Sequence, residues 1–185
     1  QIYYNKKKLN KVWADKKTLK IISDFLKVNI QSSKIKGICH GSRNGFEQKS
    51  LQEEIMNSEV IGTDISETAT NFENSIIHDF HHEKAEWVNN FDFVYSNSLD
   101  QSYDPKKALE VWLRQVKKNG FIIIEHTDQH AVRASDKMDP FGVEANFFPY
   151  LLTEWFGHLI SIKIIKSVKS NKNNAPVFFF ILKKN

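Results

Sequence analysis

Apolar and polar positions along the chain alternate in a way that predicts helices and strands in turn. Over Asp15 to Val28, Leu19, Ile22 and Phe25/Leu26 recur at helical spacing, with Asp15 standing as the N-cap. Ile35 to Cys39 is a short strand that runs into a glycine-containing turn. Leu51 and Ile55 share one face of a helix over Phe46 to Met56. Val60 to Thr63 is the second strand, Ser75 to Ile77 a short third and Phe91 to Tyr95 a fourth. Asp104-Pro105 then supplies an N-cap followed by a first-turn proline. Leu109, Trp112, Leu113 and Val116 line the buried side of that helix, and Asn119-Gly120 is expected to close it. Phe121 to Glu125 is continuously apolar up to its last residue, as in a strand covered on both faces. A helix near Phe147 to Phe156 follows. Two strands, Leu159 to Val168 and Val177 to Leu182, come last, joined by a Ser-Asn-Lys-Asn-Asn turn.

This order predicts an α/β fold: a Rossmann-like, doubly wound, mostly parallel seven-stranded sheet with a C-terminal antiparallel hairpin. One domain is expected over residues 1–185. It divides into a helical extension (1–34), an α/β core (35–126), a long connecting segment (127–157) and the hairpin (158–185).

Composition narrows the class. The 185 residues are 41% hydrophobic and 26% charged, which suits a folded globular chain, and no apolar run approaches a membrane span. No charged-then-apolar signal opens the chain. The single Cys39 excludes an internal disulfide framework and a cysteine-based zinc finger, so a reducing, cytoplasmic setting is expected. The net charge of +4 is unevenly spread: residues 1–36 carry +8, residues 163–185 carry +6, and the middle carries −10. The motifs fall in that acidic middle, which argues against a nucleic-acid partner there.

The first strand and its turn read Gly37-Ile38-Cys39-His40-Gly41-Ser42-Arg43-Asn44-Gly45. Gly41 and Gly45 let a ligand approach the backbone and its free N–H groups; a purely structural glycine turn reads the same way. Asp64 ends Val60-Ile61-Gly62-Thr63-Asp64 about 20 residues after that turn, the spacing at which a carboxylate accepts hydrogen bonds from a ribose; a helix N-cap is the plain alternative. Asp79-Phe80 follows the third strand, and Ser96-Asn97-Ser98-Leu99-Asp100 follows the fourth at the carboxyl edge where α/β ligands bind.

With these motifs the chain resembles the class I S-adenosylmethionine-dependent methyltransferases, particularly those with a methyltransferase-type-11-like core. The resemblance covers about residues 35–126. It implies S-adenosylmethionine as cofactor. The loop of Cys39, His40, Gly41, Ser42, Arg43 and Gly45 would wrap its methionine part, Asp64 and Ile65 would meet the ribose, and Asp79 and Phe80 the adenine. Ser96 and Asn97 would face the cofactor from the fourth strand. Two positions depart from the family pattern: Cys39 stands where an acid is usual, and Arg43 replaces the middle glycine. An Arg there either points away or reaches the cofactor carboxylate in a bidentate pair.

Methyl transfer is largely a matter of positioning, with a base needed only when the acceptor must lose a proton. His126 is the first expectation for that base, followed by Asp100 and Tyr103; Asp104, Asp128 and His130 also project from the active edge, and His40 ranks lower. The clusters at His78–His82 and Glu125–His130 lack zinc-site spacing, so no metal is expected. The segment Thr127 to Asn146, with little periodicity, reads as a lid or as an insertion capping the core. A small molecule or sugar is the expected acceptor. The strand-four loop lacks the Pro-Pro-aromatic pattern of base N-methyltransferases, and Cys39, within a strand, is no cytosine nucleophile. A non-catalytic cofactor-binding or scaffold domain is the second reading and an NAD-type oxidoreductase the third. The terminal hairpin and the incomplete Gly-x-Gly-x-x-Gly argue against the third.

Overall fold

The computed structural model describes residues 2–185, Tyr4 by its backbone only. The chain begins with a short helix α1 (Ile2–Lys7) and then α2 (Lys16–Asn29), whose N-cap Asp15 forms a capping box with Thr18. A parallel block follows: β1 (Ile35–His40), α3 (Phe46–Glu54), β2 (Ser58–Asp64), β3 (Ser75–Ile77) and β4 (Phe91–Ser96). Then come α4 (Pro105–Gln115), β5 (Val116–Thr127), α5 (Phe148–Phe156), β6 (Ile160–Lys169) and β7 (Ala175–Lys184). The seven strands lie in the order β3-β2-β1-β4-β5-β7-β6. All neighbours from β3 to β5 are parallel, while β7 runs antiparallel to both β5 and β6. This is the expected doubly wound sheet with its terminal hairpin. The strand order reverses between β1 and β4, so a crevice opens beyond the carboxyl ends of those two strands.

Each sheet face carries its own apolar layer. On one face Leu19, Ile22, Leu26, Leu51 and Phe93 pack with the inner residues of β5 and β7. On the other, Leu109, Trp112, Phe148, Leu152 and Phe180 close the core. Gly37 has no side chain because the Phe93 ring occupies the space: a Cβ there would lie 2.1 Å from that ring.

One element differs from expectation. Asn119-Gly120 does not cap α4. The helix stops at Gln115, where the Val116 N–H bonds back to the Trp112 carbonyl, and Val116 already pairs with Phe91. Asn119 (φ +64°) and Gly120 instead bend the start of β5 where its register against β4 shifts. Gly120 is required there because a Cβ would meet the Asp92 carbonyl at 2.7 Å.

Candidate functional site

The turn after β1 depends on two glycines. Gly41 (φ +72°) has no room for a side chain, since Ser98 Cβ sits 2.6 Å from where a Cβ would be. Gly45 (φ +74°) turns the chain into α3. Between them Arg43 also takes a left-handed conformation (φ +38°). Its N–H donates to Asp64 Oδ2 at 3.2 Å, and the Ser66 N–H donates to Asp64 Oδ1 at 2.8 Å. A third donor arrives from far away in sequence: Asn5 Nδ2, on α1, bonds Asp64 Oδ1 at 2.8 Å. Asp64 is therefore buried and fully engaged. Asn44 Nδ2 donates to the Leu9 carbonyl at 2.9 Å, tying the same N-terminal segment over the turn.

The loop after β4 is stitched to the turn after β1. Ser96 Oγ donates to the His40 carbonyl at 2.9 Å, and the Ser98 N–H donates to Ser96 Oγ at 3.0 Å. Between the two loops lies a cavity of about 260 Å³. Gly41, Arg43, Glu47, Asn97, Ser98 and Asp100 form its sheet-side wall. Asn5, Lys8, Lys11 and Trp13 roof it from the N-terminal segment, and Met138 and Asp139 reach its mouth from the segment after β5.

Two acids in this wall are unusual. Glu47 is 6% exposed; its Oε1 accepts a hydrogen bond from Asn97 Nδ2 at 3.3 Å, while Oε2 has no partner among the described residues. Burial pushes its carboxyl up to about 7. Asp100 is 9% exposed, and its Oδ1 likewise has no hydrogen-bond partner among the described residues. Burial, with the charge of Asp139, raises its carboxyl to about 8. Behind it His130 Nε2 lies 3.6 Å from Asp100 Oδ2, and the His126 ring lies 5.2 Å from that of His130. Burial holds His130 down at about 3 and His126 at about 4, so both imidazoles are neutral at pH 7. Asp100 with a proton and His130 without one form a neutral pair. Asp100, His126 and His130 also line an enclosed space of about 10 Å³ beneath Phe141 and Phe148.

Other expected residues lie elsewhere. Cys39 is buried in the apolar layer beside Leu51, and burial raises its thiol. His40 is hydrogen-bonded on both ring nitrogens, to Thr63 Oγ1 and Gln115 Oε1 at 2.8 Å each, and stacks on Trp112. Burial depresses it to about 3. Phe80 packs edge-on against Trp112 in the core rather than standing free beside a base. Asp79 accepts from the His81 N–H at 2.9 Å and lies 2.6 Å from that ring's Nδ1. Burial alone would raise its carboxyl, but these bonds outweigh it and hold it low. Ile65 is half-buried. Tyr103 is 64% exposed and stacks on His81, with ring centroids 3.9 Å apart, outside the cavity wall. The structure thus gathers Gly41, Arg43, Asn97 and Asp100 around one cavity, with His126 behind. Glu47 and Asn5 were not anticipated. The signal for Glu47 was its place two residues after Gly45 in a chain lacking the usual acid at Cys39. Among the described residues no group of three or more His, Cys, Asp or Glu converges as metal ligands. No helix among them is long and apolar enough to cross a membrane.

Residues 38–124 match the family model described as a methyltransferase domain. The plantazolicin methyltransferase BpumL, solved in complex with SAH, superposes with a TM-score of 0.70 at 13% identity, covering 90% of this chain and 82% of that one. The CMeT domain of the citrinin polyketide synthase gives 0.65 at 11% identity, covering 94% and 52%. The 4+2 cyclase SpnF gives 0.66 at 9% identity, covering 89% and 80%. No curated protein sequence matches the chain. The chain shares the fold of these structures, and the methyltransferase-domain match spans β1 to β5.

Proposed function

We propose that the protein is an S-adenosylmethionine-dependent methyltransferase acting on an O or N of a small molecule or sugar. The observation that carries this reading is the cavity at the β1/β4 reversal, walled by Gly41, Glu47 and Asp100, two acids that each have one carboxyl oxygen without a hydrogen-bond partner among the described residues. The donor set suits the cofactor's sulfonium and amino-acid end: acids for its positive groups, and the Arg43 guanidinium for its carboxylate. S-adenosylmethionine, when bound, supplies a methyl group already activated on sulfur. The family match and the SAH complex of BpumL support the same cofactor.

Asp64 suits a ribose, but its Oδ1 is held by Asn5. At about 260 Å³ the cavity is also smaller than the ~300–1,000 Å³ usual for small-molecule sites. Admission of a nucleoside cofactor therefore requires the segment carrying Asn5, Lys8 and Trp13 to move outward. Asp100 is the proposed base. Its carboxyl, at about 8, sits near working pH, where an acid–base catalyst is most effective. When ionised, it accepts the acceptor's proton from the cavity side, with neutral His130 at its back. His126 takes the position of a supporting ring behind His130 rather than that of the base itself. Tyr103 is assigned no chemical step. The lone buried thiol of Cys39 suits a cytoplasmic setting.

A non-catalytic cofactor-binding domain is the second reading, favoured by the Asn5–Asp64 bond and by the departures at Cys39 and Arg43. The 4+2 cyclase SpnF has the same fold, so fold alone does not decide the chemistry. Calorimetry with S-adenosylmethionine, S-adenosylhomocysteine and NAD tests the assignment. Submillimolar binding of the first two and none of NAD is expected; NAD binding alone would overturn it. Methyl transfer to a panel of small amines, phenols and sugars then separates the enzyme from the scaffold.

A further inference from the structure

The acid usual two residues before the first loop glycine is Cys39 here, and its side chain points into the apolar layer beneath the sheet. No carboxylate can act from that position. The cavity nevertheless holds a buried carboxylate that enters from another element. Glu47, in the first turn of α3, is 6% exposed and lines the cavity beside Arg43 and Asn97. The Asn97 amide fixes one of its oxygens at 3.3 Å, and the other has no hydrogen-bond partner among the described residues. A buried polar atom left this way costs stability unless a ligand completes it. A cationic N–H donor is the partner that compensates a carboxylate most fully. Arg43 lines the same cavity, so an acid and a base stand together as a zwitterion requires.

We infer that Glu47 holds the α-ammonium group of the donor's amino-acid moiety, entering the cavity from α3. This rests on the methyltransferase reading above. Asn97 positions the carboxylate, so that only the free oxygen meets the ligand. Glu47 is thus a binding residue that discriminates amino-acid-bearing nucleosides from those without the amine.

The test is calorimetric and needs no turnover. The probes are S-adenosylhomocysteine and its desamino analogue, which keeps the carboxylate but lacks the α-amino group. Wild-type protein at pH 8 is expected to bind S-adenosylhomocysteine at least tenfold more tightly than the desamino analogue. Glu47→Gln, which keeps the shape and the Asn97 contact, is expected to reduce that preference to about twofold and leave affinity for the desamino analogue unchanged. A wild-type preference below twofold overturns the inference whether or not the variant folds, and so does a Glu47→Gln protein that retains the tenfold preference. If wild type binds neither probe, the methyltransferase reading fails as well; equal binding of both removes only the role of Glu47.

Discussion

Asn5 donates its side-chain amide to the carboxylate of Asp64 at 2.8 Å, across 59 residues of sequence. On the proposed cofactor assignment, the contact places a neutral donor where the hydroxyls of a ribose would bond. Asn5 and the nucleoside therefore compete for one oxygen, and the apparent affinity is reduced by the fraction of molecules in which the segment is closed. Asn5→Ala is expected to tighten S-adenosylhomocysteine binding by roughly three- to tenfold. Asp64→Ala should weaken it by at least as much. Calorimetry on both variants checks the pair; weaker binding in Asn5→Ala would make the amide part of the site rather than its rival.

The raised carboxyl of Asp100 sets the pH response of turnover. The ionised form is the proposed base, so kcat/KM should rise with pH, pass half its maximum near 8 and level off above that. Asp100→Asn should lose the rise and about 10²- to 10⁴-fold of rate. A pH profile unchanged in Asp100→Asn would remove the residue from the chemistry.

Stability should peak near pH 6.5. His40, His126 and His130 are held at about 3, 4 and 3, so the unfolded chain binds more protons than the native one below about pH 6.5, and stability rises with pH there. Glu47 and Asp100 are raised to about 7 and 8, so the native state keeps their protons after the unfolded chain has lost them. Their contribution runs the other way: it is complete below about pH 4 and is lost as pH climbs through 7 and 8. Three histidines outweigh two acids between about 4.5 and 6.5, and only the acids act above that. Melting temperature across pH 4 to 9 checks the curve, and Asp100→Asn should flatten its fall between pH 7 and 8.

Glu47→Gln should make the protein more stable at pH 8. Replacing a buried ionised acid that has an open oxygen relieves roughly 1–3 kcal/mol. In a chain of this length that corresponds to a rise of several degrees in melting temperature. The gain should shrink at pH 5, where the carboxyl is already neutral. A melting temperature lowered at both pH values would make Glu47 a structural residue.

Lys169 and Glu125 form a buried ion pair joining β6 to β5, with each side chain almost inaccessible. Tyr95 donates its hydroxyl to Glu125 Oε2 at 2.7 Å, and Lys169 Nζ donates to the Trp13 carbonyl at 2.7 Å. Removing one partner strands the other: Lys169→Met should cost about 3–5 kcal/mol, and Lys169→Met with Glu125→Gln considerably less. Urea denaturation of the two single variants and the double measures the difference; a double loss equal to the sum of the two single losses would show that the pair is not coupled.

Much of this architecture was legible because its signals are local. Asp15 caps α2 and Asp104-Pro105 opens α4 through contacts within three residues. The glycine turn leads to Asp64 because a left-handed bend and a strand end recur at fixed spacing. Asn119-Gly120 misled because the same dipeptide suits a helix cap and a strand bend; the pairing of Val116 with Phe91 decides between them. The site was harder to read. Glu47 looks like any charged residue of a polar helix until Asn97 folds over it, and Asn5 carries no local mark of its bond to Asp64. His40 ends β1 and Phe80 follows β3, yet Trp112 beneath them draws both rings inward.

The hairpin dictates an order of assembly. β6 is made before β7 but hydrogen-bonds to no other strand, and β7 must slot between it and β5. During synthesis β6 therefore waits as an unmatched ribbon, and the wall holding Lys169 against Glu125 closes only after residues 175–184 emerge. Until then β5 and β6 each present an open edge, and that half of the sheet is exposed to pairing with another chain.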